Sequence, residues 1–271
     1  MPFGTSLAAA NALIVGASQG IGLEFVRQLV ADGRFGRVYG TYRRPETAGE
    51  LLTLAQAHPH LTPLVMDVTS EDSIAQAVAD LQADLQADLQ ADASTTVPPT
   101  TPRLHWVVYC VGLLHEGTFQ PEKSLRQVSS DQLVRSFQVN AVGAALLTKH
   151  LLPLLKHDQP SVFGAISAKV GSIGDNRLGG WYGYRASKAA LNMLIKTASL
   201  EYARKSPNTL FALLHPGTTD TRLSQPFQRG VLPEKLFPVS RTVAQLMTVI
   251  DGLEPTDSGE FFSWDGSRLP W

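Results

Sequence analysis

A short apolar run at 12–15 leads straight into Gly16-Ala17-Ser18-Gln19-Gly20-Ile21-Gly22, and a helical pattern begins at Leu23. Strand, glycine turn and helix in immediate succession leave few folds open. The three glycines let the backbone turn tightly and approach a pyrophosphate. Backbone N–H groups and the positive end of the helix dipole then face its charge. Gly16, Ser18, Gln19, Gly20, Ile21 and Gly22 are the candidate phosphate cradle, with side-chain hydrogen bonds available from Ser18 and Gln19.

The rest of the chain keeps alternating. Strand-like runs are expected at 37–42, 61–66, 104–111, 161–167, 210–214 and 260–264. Helical patterns are expected at 23–32, 46–57, 71–91, 125–156, 181–204 and 242–251. Strands separated by helices of this length predict a parallel sheet covered on both faces. The fold class is α/β: a Rossmann-type doubly wound sheet, one domain over residues 1–271. With 44% hydrophobic and 17% charged residues, the chain has ample material for a core. The exception to the alternation is 81–92, where Leu-Gln-Ala-Asp recurs, followed by a Ser/Thr/Pro-rich stretch at 93–102. Leu, Gln and Ala favour helix. A repeat of four drifts against 3.6, so its leucines give only a short stripe. Residues 81–103 are expected to be an insertion that lengthens one helix and loop.

Charge and composition narrow the partners. A net charge of −1 gives no electrostatic pull toward nucleic acid or an anionic membrane. No apolar run reaches the roughly 20 residues of a membrane span. The single cysteine, Cys110, rules out an intrachain disulfide and a cysteine-based zinc site, and the seven histidines are scattered. The expectation is a cytoplasmic protein with no metal, no nucleic acid and no membrane partner.

The end of the second strand selects the nucleotide. A carboxylate there accepts ribose hydroxyls, but this chain reads Thr41-Tyr42-Arg43-Arg44. Arg43 offers a fork of donors suited to a 2′-phosphate. The expected cofactor is therefore NADP(H) in preference to NAD(H). Asp67 and Val68 end the third strand, placed to meet an adenine.

Tyr184 and Lys188 lie four apart in an expected helix, hence on one face. A positive charge beside a phenol favours the phenolate. Such a pair can act as a general acid/base toward an alcohol oxygen.

Together, Gly-x-x-x-Gly-x-Gly and the later Tyr184-Arg185-Ala186-Ser187-Lys188 resemble the classical short-chain dehydrogenase/reductase family, in order and in spacing. The stretches Val170-Gly171-Ser172-Ile173-Gly174-Asp175-Asn176 and Gly179-Gly180-Trp181-Tyr182, with the Asp265-Gly266 to Pro270-Trp271 ending, resemble its C-factor-like and sniffer-type carbonyl reductase branch. The resemblance spans the chain apart from 81–103. It implies hydride transfer between the nicotinamide and a small carbonyl or alcohol substrate. Tyr184 would be the acid/base, with Lys188 beside it also bonding the nicotinamide ribose. Asn140 would hold a water that links the lysine to solvent. Gly112, after the fourth strand, would contact the cofactor through its backbone. Pro216 and Gly217 would close over the nicotinamide, with Thr219 and Thr221 on the carboxamide and diphosphate. Residues 222–239 fit a substrate lid. A homodimer or homotetramer through Leu146, Leu147, Leu151, Leu191, Leu194 and Ile195 is implied, unless those side chains are core.

Three positions depart from the family pattern. Val15 stands where threonine usually braces the glycine turn. Tyr109-Cys110-Val111-Gly112 stands where Asn-Asn-Ala-Gly is usual. Ala168 takes the place of the usual catalytic serine. Ser167, one residue early, is the first substitute, ahead of Ser172. That last departure keeps a second reading open: a nucleotide-binding signalling or scaffold protein with weak or lost catalysis.

Overall fold

The computed structural model describes residues 9–91 and 101–271. Seven parallel strands form one sheet in the order β3-β2-β1-β4-β5-β6-β9. They are β1 (Ala10–Val15), β2 (Phe35–Tyr42), β3 (Leu61–Val65), β4 (Trp106–Tyr109), β5 (Ser161–Ile166), β6 (Thr209–His215) and β9 (Glu260–Ser263). Two short strands, β7 (Thr218–Thr219) and β8 (Leu236–Phe237), pair separately in parallel. The helices are α1 (Gly20–Ala31), α2 (Gly49–Ala57), α3 (Glu71–Ala91), α4 (Ser130–Phe137), α5 (Gly143–Leu155), α6 (Tyr182–Lys205) and α7 (Val239–Asp251). The expected Rossmann-type sheet is the observed one.

Alternation along each strand feeds two cores. In β1, Leu13 and Val15 join the cluster that includes Leu81, Leu147, Leu151, Leu191 and Phe211. Ala12 and Ile14 point the other way, to Phe25, Leu29, Leu51, Val243 and Leu246. Strands covered on both faces carry no polar alternation, which explains the continuous apolar runs in the sequence.

The four-residue repeat is partly woven into this core. Leu81 and Leu85 are buried, while Leu89 is only half-buried, as a drifting stripe requires. On the helix's other flank Asp84 accepts from the Tyr39 hydroxyl at 2.8 Å, and Asp88 pairs with Arg37. The expected linker at 93–102 falls mostly outside the described residues.

The strand order reverses between β1 and β4. In such sheets the crevice beyond the carboxyl ends at that point receives ligands. Val15 and Tyr109 end the two strands that border it, and Ile166 and His215 end the next two strands along the sheet.

Candidate active site

The glycine turn is built on β1 and roofed by α1. Gly16 takes φ +83° and Gly20 φ +56°, the left-handed region that side chains rarely tolerate. At Gly22 a Cβ would stand 2.1 Å from the Gly16 carbonyl oxygen, so no other residue fits. Gln19 occupies the N-cap of α1 without a side-chain capping bond. Its carboxamide oxygen instead accepts from Arg222 at 3.2 Å. Ser18 and Ile21 are half-buried along the same turn. Thr221 packs on Gly20, its Cγ2 3.5 Å from where a Cβ would be. The hydroxyl missing at Val15 is replaced from β2: Thr41 Oγ1 accepts from Gly16 N at 3.0 Å, and Ala17 N donates to Thr41 O at 2.7 Å.

Arg43 follows β2 beside this turn, with Asp67 and Val68 beyond β3. Asp67 Oδ1 accepts from Thr69 N at 2.9 Å and from the Thr69 hydroxyl at 2.7 Å. Burial alone raises its carboxyl. Those hydrogen bonds, with the charges of Arg43 and Arg135, overturn that and hold it below the ordinary aspartate value. Val68 is buried against Gly143 at the start of α5.

Across the crevice, α6 presents Tyr184 and Lys188 one turn apart. Lys188 is 2% exposed, and its Nζ donates to Ile166 O at 2.9 Å. The same ammonium lies 5.9 Å from the Tyr184 ring centre. Burial dominates both groups: the phenol is raised, and the ammonium is pushed down to about 8. The spacing alone predicts a phenol lowered by its neighbour. At this distance desolvation dominates the Tyr184 phenol.

Asn140 sits in a π-turn, Gln138–Val142, which interrupts the helical region expected at 125–156. Such turns recur at functional sites. Oδ1 accepts from Leu113 N at 2.6 Å, and Nδ2 donates to Leu113 O and to Ser187 Oγ, each at 2.9 Å. Gly112 lies against this network: a Cβ there would be 3.7 Å from Lys188 Nζ and 3.9 Å from Asn140 Oδ1.

Ser167 is 2% exposed and donates its hydroxyl to Asn192 Oδ1 at 2.6 Å, one turn beyond Lys188 on α6. Ala168 follows in extended backbone (φ −148°, ψ 140°), so its methyl leaves on the opposite face. Ser172 Oγ accepts from Asp175 N at 3.1 Å and closes a turn. Both candidate hydroxyls are thus engaged within the protein.

Pro216 and Gly217 follow β6. Gly217 takes φ +71°, and a Cβ there would meet Phe237 at 2.8 Å and Trp264 at 3.0 Å. Thr219 is buried and shares a 2.9 Å hydrogen bond with Thr242, while Thr221 N donates to Ser224 Oγ at 3.2 Å. The β7–β8 pairing ties residues 236–237 back to this turn. Between them Leu223 reaches over Gly112, and Phe227 meets Trp181 edge-on at 5.0 Å.

Residues 10–231 match the family model described as short chain dehydrogenase. The chain belongs to that family. Among solved structures, it superposes on the NADPH-bound carbonyl reductase from chicken fatty liver with a TM-score of 0.83 and 27% identity, covering 98% of this chain and 100% of that one. The carbonyl reductase Sniffer of D. melanogaster gives 0.81 and 26%, covering 97% and 100%. C-signal of Myxococcus xanthus is 34% identical over 148 residues, 55% of this chain and 84% of its own length.

In this member of the short-chain dehydrogenase family, further residues that the motifs did not announce shape the crevice. Trp181 precedes α6 in the left-handed region (φ 53°), an uncommon place for a bulky residue. Its N–H donates to Glu122 O at 2.5 Å, and the buried Glu122 carboxylate accepts from Gly183 N at 3.1 Å. Glu122 therefore fixes the first turn of the helix that carries Tyr184. With that backbone fixed, the indole lies 6.2 Å from the Tyr184 ring and forms an aromatic wall with Phe227 and His115. The one legible signal for this was the Gly179-Gly180 pair before a tryptophan. Thr41 carried none, because its role depends on strand register.

Proposed function

We propose that this chain is an NADP(H)-dependent oxidoreductase that reduces a carbonyl to an alcohol, or runs the reverse, with Tyr184 as general acid/base. The observation that carries the reading is the α6 turn that sets half-buried Tyr184 one turn from buried Lys188, whose Nζ faces Gly112 beside Asn140. The residues fit the cofactor. Gly16, Ser18, Gln19, Gly20, Ile21 and Gly22 would cradle its diphosphate and Arg43 its 2′-phosphate. Asp67 and Val68 would meet the adenine. Gly112, Lys188, Pro216, Gly217, Thr219 and Thr221 would hold the nicotinamide half. When bound, the cofactor supplies or accepts the hydride.

The protein's own groups manage the proton. A raised phenol is protonated at neutral pH. Tyr184 can therefore donate to a carbonyl oxygen that gains negative charge, a contribution of about 10²–10⁴-fold. Lys188 holds a charge beside it and is itself fixed by Ile166 O. Asn140 spends its carboxamide on Leu113 and Ser187. We assign its side chain to holding the crevice wall, with the resemblance adding a water link from Lys188 to solvent. Ser167, bonded to Asn192, positions α6 instead of touching substrate. Residues 222–239 close the crevice as a lid. NADPH consumption across aldehydes, ketones and diketones tests the reading.

The second reading, a nucleotide-binding signalling or scaffold protein, is favoured by one observation: Ala168 brings no hydroxyl to the crevice. The similarity to C-signal adds to it. NADPH binding without turnover on any carbonyl of that panel would support it.

Self-association is also proposed. Leu147, Leu151, Leu191 and Ile195 are core, so the expected six-residue interface is corrected. Leu194 remains exposed, with Met193 and Leu200 on the same helix. Light scattering distinguishes dimer, tetramer and monomer.

A further inference from the structure

Beyond β4 the chain makes a tight turn. Glu116 N donates to Phe119 O at 3.1 Å, and Phe119 N returns a bond to Glu116 O at 2.9 Å, with Gly117 at φ +57°. The closed turn fixes where the Glu116 side chain leaves the backbone. Its carboxylate spans two arginines from separate elements. Oε1 lies 3.6 Å from Arg43 Nη2, and Oε2 lies 3.4 Å from Arg135 Nη2 on α4. Three segments far apart in sequence thus converge on one anion, and one of the two cations is the residue assigned above to the 2′-phosphate.

We infer that Glu116 is a latch that stands in for that phosphate. It holds Arg43 and Arg135 together and is displaced when a 2′-phosphate settles between the two guanidiniums. The inference rests on the NADP(H) reading. All three side chains are partly open to solvent, at 37%, 49% and 32% exposure for Arg43, Glu116 and Arg135. Pairs this exposed are weak and readily exchanged. The incoming phosphate carries about −1.5 to −2 charges on three acceptor oxygens, against one charge on the carboxylate. It therefore takes both arginines. A 2′-hydroxyl, which is neutral, leaves the latch in place. Glu116 thus competes with phosphorylated cofactor and is indifferent to the unphosphorylated one. Arg135 becomes a second phosphate ligand that the motif at the end of β2 does not announce.

Titration calorimetry with 2′,5′-ADP, 5′-AMP, NADPH and NADH tests this on the full chain. Glu116→Gln, at an exposed position, is expected to tighten 2′,5′-ADP and NADPH by roughly threefold to tenfold and to leave 5′-AMP and NADH unchanged. Arg135→Ala is expected to weaken the two phosphorylated ligands selectively, as Arg43→Ala should. Equal effects of Glu116→Gln on both ligand pairs, or none on either, would overturn the latch while leaving the NADP(H) reading intact. Wild type that binds 2′,5′-ADP no better than 5′-AMP would overturn both.

Discussion

Asn140 holds the backbone of Leu113 at both of its polar groups, accepting from its N–H at 2.6 Å and donating to its carbonyl at 2.9 Å. All three groups are buried. The pair joins the π-turn to the loop after β4, and that loop carries Gly112 against Lys188. Asn140→Ala strands two buried backbone groups, each costing roughly 1–3 kcal/mol. The variant should melt measurably below wild type and lose turnover together with it. An unchanged melting temperature would contradict the account of this contact.

Gly22→Ala should abolish nucleotide binding, because its Cβ would sit 2.1 Å from the Gly16 carbonyl oxygen. Gly33 has nothing within 4 Å of its Cβ position. Gly33→Ala serves as the control and should bind NADPH as wild type does. Calorimetry on the two variants checks the pair.

Three substitutions resolve the serine question. Ser167→Ala loses the bond to Asn192 and should cost about 0.5–1.5 kcal/mol of stability, with a modest effect on turnover. Ser172→Ala should loosen the turn to Asp175 and leave chemistry intact. Ala168→Ser places a hydroxyl on the opposite face of the strand end from Ser167, and kcat should rise. A large loss of kcat in Ser167→Ala at unchanged stability would instead make Ser167 a catalytic group.

Lys188 gives a pH signature. Burial lowers it from the ordinary 10.5 to about 8. Between those values the unfolded chain retains a proton that the folded chain has released. Stability from this group therefore rises with pH across that window. Below about 8 the ammonium is charged in both states, and the folded protein carries the whole burial cost, about 3 kcal/mol. Relative to Lys188→Met, wild type should gain stability as pH climbs from about 8 to 10.5. Parallel unfolding curves for the two proteins over that range would refute it.

Much of this is legible in the sequence. Glycine spacing reports a tight turn, and the close packing of Gly22 on the Gly16 carbonyl is that turn. The Tyr184–Lys188 turn follows from helical periodicity alone. What stayed hidden depends on elements far apart in sequence. Thr41 braces Gly16 only because β2 pairs with β1 in the observed register. The leucines of α5 and α6 read as an outer face until packing placed Leu147, Leu151, Leu191 and Ile195 in the core. The direction of the Tyr184 shift needed the burial of its surroundings, which residue spacing does not encode.

The most direct test is single-turnover oxidation of bound NADPH by a reducible carbonyl, compared between wild type and Tyr184→Phe. The account predicts a loss of about 10²-fold or more with an unchanged dissociation constant for NADPH. Wild-type rates in the phenylalanine variant would contradict it.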